Sequence, residues 1–350
     1  MKYRRFVATE LFRTLKVAHS IYLATRMKVL KFLFNSSIRY LPSIYSHLTL
    51  SNATGVNKDG TGAQVQRMMA VAALAETLGR PFLQQEIIDV AIHPLDPFQE
   101  TKQYEAYLRR LNVLFKVDNS INPTVTKKAL QIKNLHLRNL LKYALVSAML
   151  KTTTLLEIEN PYAVSDLNPD AYKSVSNKLG ISRVIHELKT PEPYIAIHYR
   201  QGVGGFVTYP GQSIAREMKV AYFKEVIDRF LSKSDFKEAI VHVFTDAPSV
   251  KLEFEPPESQ QYLWDGSPGY KNGVMQIQPL VFDAESLGVS RVEVHSGGDP
   301  IDAIIMMASA SLLILGRSSL SYVAGLLNER AVVVPAPLFW HPPLSGWMRT

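Results

Sequence analysis

The sequence predicts an α/β fold with two Rossmann-like domains, a cleft between them, and a basic helical segment in front. Three observations predict it. Over residues 47–85 a strand, a glycine-containing loop, a helix and a second strand follow one another. After residue 194 short apolar strands alternate with helical patterns, as in a parallel sheet covered by helices. The length of 350 residues suits two domains of ordinary size.

The first 45 residues form a basic amphipathic segment. Residues 1–50 contain nine Lys or Arg and one acid, Glu10, so they account for the whole net charge of +8. Apolar residues recur there at helical spacing, for example at Leu11, Leu15, Leu30 and Phe34. Two interpretations stay open: a helix pair lying on an anionic membrane surface, or a helix pair packed against the body. Charge confined to one end argues against a nucleic-acid-binding fold.

The composition also limits the cofactors and the location. Cysteine is absent, which excludes disulfides and thiolate metal sites and favours a reducing compartment. The sequence has no metal-binding motif, so no metal site is expected. No apolar stretch is long enough to span a bilayer. We therefore expect a cytoplasmic protein, with peripheral membrane contact through residues 1–45 as the open alternative.

The first domain is predicted over residues 46–190. A strand at 47–50 leads through a polar loop into a helix that begins at Ala63 and ends at Gly79, and Pro81–Gln85 is the second strand. Thr101–Val117 and Lys127–Leu150 have helical patterns. Glu159–Asp170 is expected to be a loop and Val184–Pro193 a linker.

The second domain is predicted over residues 191–350, with strands and helices in alternation. The predicted strands are Tyr194–Tyr199, Ala239–Phe244, Val292–His295, Leu312–Leu315 and Ala331–Val334, and the predicted helices are Arg216–Phe230, Pro300–Ala310 and Leu320–Asn328. Ligands of such sheets bind at the carboxyl ends of the strands. Four polar or glycine-rich segments follow these strands and should converge on one crevice: 198–202, 245–248, 296–299 and 316–319.

Two of these segments suit an anion. The guanidinium of Arg200 can hold phosphate oxygens with two parallel hydrogen bonds, His198 can donate to the same oxygens, and Gly202 permits close approach. An inter-domain ion pair and a plain glycine turn are the alternative. Ser318 or Ser319 either only caps the following helix or, with Arg317 beside it, helps to form an anion site at the helix N-terminus.

Two further signals are weaker. Asp246, at a strand end, suits a helix cap, a ribose hydroxyl or a general base. Gly60-Thr61-Gly62-Ala63-Gln64 opens the first long helix but lacks the third glycine of a dinucleotide-binding fingerprint.

These segments, in this order, resemble the GT-B fucosyltransferases, and in motif order they are most similar to the α1,2-fucosyltransferase family. The family's G-x-G-N-Q loop corresponds to Gly60–Gln64, and its H-x-R-R-x-D or H-x-R motif corresponds to His198–Val203. Its F-S/T-D strand end corresponds to Phe244–Asp246, its D-x-x-x-M segment to Asp302–Met306, and its S-S-x-S block to Ser318–Ser321. The family's second Arg and its Asp are replaced by Gln201 and Val203, and the Asn of its first loop by Ala63.

The resemblance implies metal-independent, inverting transfer of fucose from GDP-fucose to a glycan hydroxyl. No cofactor is expected besides this co-substrate. The expected catalytic residues are Arg200, His198 and Asp59. The expected donor-binding residues are His198, Arg200, Gly202, Asp246, Arg317, Ser318, Ser319, Ser321, Gly60, Gly62 and Gln64. The alternatives are the same fold with another nucleotide sugar, or a non-catalytic sugar- or nucleotide-binding protein.

Overall fold

The computed structural model describes most of the chain. It covers residues 25–26, 28–53, 59–93, 95–98, 100–118, 129–188, 193–201, 206–209, 212–215, 218–231, 239–255, 258, 270–280, 282, 285–289, 291–335 and 341–350. Among these residues, no helix is long and apolar enough to cross a membrane.

The first sheet has four parallel strands in the order β2-β1-β4-β3. The strands are β1 (Leu48–Asn52), β2 (Phe82–Leu83), β3 (Leu130–Asn134) and β4 (Thr154–Asn160). The helices of this part are α1 (28–40), α2 (Thr61–Thr77), α3 (Thr101–Leu114), α4 (Leu137–Leu150), α5 (Tyr162–Ser165), α6 (Asp170–Ser176) and α7 (Gly180–Glu187). Helix α2 is apolar around most of its circumference and is therefore buried, and the chain reverses after it at Gly79, whose φ is 62°.

The main sheet of the second half has six parallel strands in the order β12-β8-β5-β13-β14-β15. They are β5 (Tyr194–Tyr199), β8 (Ile240–Thr245), β12 (Val292–Ser296), β13 (Leu312–Ile314), β14 (Ala331–Val334) and β15 (Met348–Arg349). When these six strands are numbered along the chain, their order in the sheet is the 3-2-1-4-5-6 order of a Rossmann fold. The strand order reverses between β5 and β13. The prediction of an α/β fold with two Rossmann-like parallel sheets is confirmed.

Helices cover both faces of the second sheet, and small antiparallel pieces lie beside it. The helices are α8 (Val220–Leu231), α9 (Pro300–Ser309) and α10 (Ser319–Leu327). The small pieces are a hairpin of β6 (Phe206–Tyr209) with β7 (Gln212–Ala215), and a sheet of β9 (Leu252–Phe254), β10 (Tyr270–Lys271) and β11 (Val274–Ile277).

Some elements differ from their predicted form. The helix expected over Lys127–Leu150 begins only at Leu137, because residues 130–134 pair with β4 as an edge strand. The loop expected over Glu159–Asp170 contains the end of β4 and the short helix α5. Helix α7 extends into the expected linker up to Glu187. The domain boundaries near residues 45 and 190 stay a prediction.

A single apolar core joins the two halves of the chain. One continuous cluster of buried side chains includes Leu50 and Val65 of the first half together with Ile304, Val323 and Val334 of the second. Helix α2 packs against both α6 and α10. A second cluster lies on the opposite face of the large sheet, beneath α8.

The described part of the N-terminal segment belongs to this core. Phe34 is fully buried, and Leu30 and Ile38 pack beside the same cluster. The hydroxyls of Ser37 and Tyr45 are hydrogen-bonded at 2.7 Å. Residues 28–45 thus pack against the body, as one of the two interpretations predicts, while residues 1–24 lie outside the described residues.

Candidate functional site

The strand-order reversal brings His198 and Gly316 into contact. His198 is the penultimate residue of β5, and Gly316 follows β13, its neighbour in the sheet. A Cβ added to Gly316 would lie 2.4 Å from the carbonyl oxygen of His198 and 2.9 Å from its Nδ1. The close approach therefore requires a residue without a side chain at position 316.

His198 is buried at this position and is electrically neutral. Its Nδ1 has no hydrogen-bond partner among the described residues. Burial, together with the nearby charge of Arg200, lowers the pKa of the His198 imidazole to about 4. A neutral imidazole has one donor and one acceptor nitrogen, so His198 can donate one hydrogen bond to a ligand oxygen.

Arg200 stands at the same edge and is held only loosely by its acidic neighbour. Its Nη1 lies 3.6 Å from Oδ2 of Asp246, beyond hydrogen-bonding distance, and its buried Nε has no partner among the described residues. Oδ1 of Asp246 accepts a hydrogen bond from the backbone N–H of Gln201 at 2.8 Å. Asp246 therefore holds the loop after β5, and the fork of Arg200 keeps donors for an anion.

Gln201 stands where the family motif has a second Arg, and its side chain has a structural contact. Its Nε2 donates to the carbonyl of Pro279 at 2.7 Å. Gly202 lies outside the described residues.

Two helix N-termini meet beside these groups. A Cβ on Gly62 of α2 would lie 2.4 Å from the backbone N and 2.5 Å from the Cα of Leu320 in the first turn of α10. Gly60, the N-cap residue of α2, provides no side-chain cap. Each helix N-terminus carries partial positive charge from its dipole and its N–H groups, so an anion would stabilise this junction.

The hydroxyl-rich segment before α10 has mainly local contacts. Ser318 caps α10 by accepting a hydrogen bond from the N–H of Leu320 at 3.3 Å. The buried hydroxyl of Ser321 is hydrogen-bonded to the carbonyls of Gly316 at 3.0 Å and Ser318 at 3.1 Å. Ser319 is half-buried at the helix start. Arg317 lies close enough to lower the pKa of Tyr222, which burial raises.

The remaining predicted residues lie on the side of the first sheet. Asp59 forms an ion pair with Arg67 at 2.5 Å. Gln64 and Arg67 line a cavity of about 10 Å³ together with Asn52 and Asp89, which is room for about one water molecule. Asp59, an expected catalytic residue, is thus engaged by a neighbouring cation.

A turn that the sequence analysis missed reaches the large sheet from the first half. The backbone N–H of His93 donates to Asp96 Oδ2 at 2.6 Å. Gly298 donates to the carbonyl of Leu95 at 3.2 Å, and a Cβ on Gly297 would lie 2.5 Å from Leu95 Cβ. The turn therefore packs on the two glycines that follow β12, at the same sheet edge as Arg200.

Two side chains of this turn have strongly shifted pKa values. Burial lowers the pKa of His93 to about 4, and the charges of Asp246 and Arg200 also act on it, which places His93 near both. Burial raises the pKa of Asp96 to about 7; the hydrogen bond from the His93 N–H opposes this shift, and the nearby charge of Asp299 adds to it. Opposite shifts of this size are typical of functional sites. The prolines at 94 and 97 were the available sequence signal, but they indicate only a turn.

An ion pair joins α3 of the first half of the chain to the N-terminal turn of α9 in the second half. Arg110 contacts Asp299, at 2.6 Å, and Asp302. Asp299 also caps α9 by accepting from the N–H of Ile301 at 2.7 Å. Asp302, the first residue of the D-x-x-x-M segment, therefore joins the two halves of the chain.

One group of potential metal ligands lies elsewhere on the sheet. His242 of β8 and Glu293 and His295 of β12 offer ligand atoms within 4.8 Å of one another. The ring nitrogens of the two histidines are 2.8 Å apart, so a direct hydrogen bond between the rings also accounts for the arrangement. No metal site is expected from the sequence, because no motif spacing links these three residues.

Comparison with known proteins gives weak similarities only. No protein-family model matches the sequence, and no curated protein is similar to it. Among solved structures, the E. coli heptosyltransferase WaaC with ADP-2-deoxy-2-fluoro heptose has 12% identity and a TM-score of 0.37, over 87% of this chain and 92% of that one.

Two other neighbours bind guanine nucleotides. Arabidopsis thaliana FUT1 with GDP has 13% identity and a TM-score of 0.37, over 92% of this chain and 79% of that one. The α-1,6-fucosyltransferase NodZ soaked with GDP-fucose has 10% identity and a TM-score of 0.36, over 81% and 92% of the two chains. These neighbours are GT-B glycosyltransferases. Similarity at this level does not establish a shared activity, and the fold of this chain is defined by its own strand order.

Proposed function

We propose that this chain is a glycosyltransferase that transfers a sugar from a nucleotide-sugar donor to a glycan hydroxyl, with inversion and without a metal. GDP-fucose is the favoured donor, because the order of motifs resembles that of the fucosyltransferases. Because Gln201 stands where the family has its second Arg, other nucleotide sugars stay candidates as donors.

The observation that carries the proposal is the convergence of positive and donor groups where the strand order reverses. Arg200, His198 and the junction of the α2 and α10 N-termini lie at the carboxyl edge of one sheet. A leaving nucleoside diphosphate gains negative charge on its β-phosphate. Groups fixed in advance at this position stabilise that charge in the transition state more than in the ground state.

Inverting transfer also requires a base near the acceptor hydroxyl, and Asp96 is the best candidate. It lies on the turn that the first half of the chain places against the large sheet, at the same sheet edge as Arg200. A carboxylate whose pKa burial raises to about 7 is well matched to accept a proton near neutral pH. Asp59, paired with Arg67, and Asp246, bonded to Gln201, are less suited.

The first experiment measures donor recognition. GDP, ADP and UDP are titrated into the protein by calorimetry, followed by turnover with the sugar nucleotide of the tightest binder. Arg200→Ala should lower kcat by roughly 10²-fold or more, and Arg200→Lys should recover little, because a point charge does not reproduce the guanidinium fork. Arg109→Ala serves as the control, because it removes an exposed arginine whose ion pair is with Glu105 on the same helix.

The outcomes separate the alternatives. Normal turnover of Arg200→Ala would mean that Arg200 is a structural ion-pair residue. Nucleotide binding that needs Arg200, without turnover of any sugar nucleotide, would instead indicate a non-catalytic binding protein.

The second experiment addresses the base. Asp96→Asn should lower kcat by roughly 10²-fold to 10⁴-fold with little change in nucleotide affinity. The wild-type rate should rise with pH toward about 7, where Asp96 loses its proton. A variant with unchanged turnover, or with the same pH profile as the wild type, would exclude Asp96 as the base.

A further inference from the structure

Helix α1, the 3-10 helix Pro42–Tyr45 and helix α4 form an exposed apolar surface, which we call the α1–α4 surface. The 3-10 helix follows α1 along the chain and packs against α4, so it links the two helices. Met149 of α4 is 81% exposed and Phe32 of α1 is 70% exposed. Leu33, Tyr40, Leu145 and Leu150 are also exposed there. Soluble chains seldom expose so many large apolar side chains together without a partner.

Both helices turn one face to the core and carry large apolar side chains beside basic ones on the outer face. In α1 the inner face carries Leu30 and Phe34, while Phe32 and Leu33 lie on the outer side. In α4 residues 140, 144 and 147 are buried, while residues 138, 142, 145 and 149 form an exposed stripe. A surface helix that only packs against the core has polar residues at such outer positions, so the exposed apolar side chains need another explanation.

The charged side chains that these three elements carry are all positive. No Asp or Glu occurs from residue 11 to 58 or from residue 119 to 156. Exposed basic side chains come from both helices and their ends: Lys28, Lys31, Arg39, Arg138, Lys142 and Lys151. None of these six forms an ion pair with another described residue.

We propose that the α1–α4 surface docks the protein peripherally on an anionic lipid bilayer. Apolar side chains ringed by uncompensated basic groups match a membrane interface, where the apolar groups enter the acyl boundary and the basic groups meet lipid phosphates. A symmetric second copy would place two positive surfaces against each other, which disfavours dimerisation through this face. The membrane contact expected from the sequence involved residues 1–45 only, whereas this proposal also includes α4. Helix α4 lies about a hundred residues later in the chain and contributes both apolar and basic groups.

The test uses the full chain and co-sedimentation with vesicles at low salt. We expect binding to vesicles of roughly three parts phosphatidylcholine to one part phosphatidylglycerol and little binding to phosphatidylcholine alone. The double variant Arg138→Gln with Lys142→Gln should weaken binding to the anionic vesicles about 25-fold. This corresponds to about fivefold for each of the two basic side chains lost near a charged bilayer. Leu145→Glu with Met149→Glu should abolish it.

The matched control is Val113→Glu with Val250→Glu, which adds the same charge at two residues that are each 69% exposed outside this surface. The control pair should bind vesicles as the wild type does, and melting curves should establish that each variant is folded. If the Leu145 and Met149 pair does not fold, the glutamine pair decides. The proposal is overturned if the wild type does not prefer anionic vesicles, or if the folded α4 variants bind anionic vesicles as the wild type does.

Discussion

Replacing Gly62 by Ala tests the junction of the two helix N-termini directly. On helix propensity alone, Ala should stabilise the first turn of α2 by up to about 1 kcal/mol. The added Cβ, however, would lie 2.4 Å from a backbone nitrogen of α10, and ordinary contact begins at 3.4 Å. Backbone atoms cannot rotate away as a side chain can, so α10 would have to retreat by about 1 Å, the difference between these distances.

Overpacking of this kind costs up to about 3 kcal/mol, so we expect a net loss of about 2 kcal/mol in the free energy of unfolding after the propensity gain. Displacement of α10 also moves the N–H groups proposed to face the phosphate, and turnover should fall by roughly 10²-fold. Urea denaturation measures the first effect. Calorimetric titration with the nucleoside diphosphate and assay with its sugar nucleotide measure the second.

Gly60→Ala is the matched control, two residues earlier on the same loop. A Cβ there meets nothing within 4 Å, and its φ of −61° suits any residue. Its stability should stay within about 1 kcal/mol of the wild type, and its nucleotide affinity should not change. A Gly62→Ala protein that is as stable as the wild type and binds nucleotide normally would show that α2 and α10 do not meet as described.

Two further variants test the buried groups beside this junction. Burial, aided by the charge of Arg200, lowers the pKa of His198 from 6.5 to about 4. Between these two pH values the imidazole binds a proton in the unfolded chain but not in the folded one, so the free energy of unfolding falls as the pH is lowered. On account of His198, the free energy of unfolding should be about 2 kcal/mol lower at pH 5 than at pH 7. In urea titrations His198→Gln should reduce this dependence on pH. An unchanged dependence in the variant would show that His198 is not the buried group responsible. Ser321→Ala removes the hydroxyl bonded to the carbonyls of Gly316 and Ser318, so thermal unfolding should report a loss of about 1 kcal/mol. Nucleotide affinity should be unchanged in that variant, and a large loss of affinity would instead support direct donor contact by Ser321.

The second half of the chain could be predicted well because its signals are local. Each inner strand there is a short apolar run that ends in polar residues, as in Tyr194–Tyr199, and buried parallel strands require that pattern. Strands without such a run were missed. In β3 only Ile132 is buried, and its register with β4 defines it as a strand. Strand β15 is two exposed residues that pair with β14 and have no pattern of their own.

The site could be predicted only where strand ends supply it. The strand-end rule indicated His198 and Arg200, because parallel strands place their carboxyl ends together. The turn with His93 and Asp96 reaches the same edge through contacts with Gly297 and Gly298, two hundred residues away in the chain. Local patterns do not encode such a contact. The first loop is a second case, since the sequence indicates a glycine at position 62 but does not indicate that the backbone of α10 packs against it.

The apolar cluster shared by the two sheets means that the halves of this chain are not exchangeable modules. Buried side chains of α2 meet those of α9 and α10 across the boundary, so each half shapes the surface against which the other packs. A chimera that joined one half to the corresponding half of a relative would bring mismatched volumes together and leave cavities or overlaps at that surface. Changes of ligand specificity are therefore expected to arise within the strand-end loops, which can vary without disturbing the common interior.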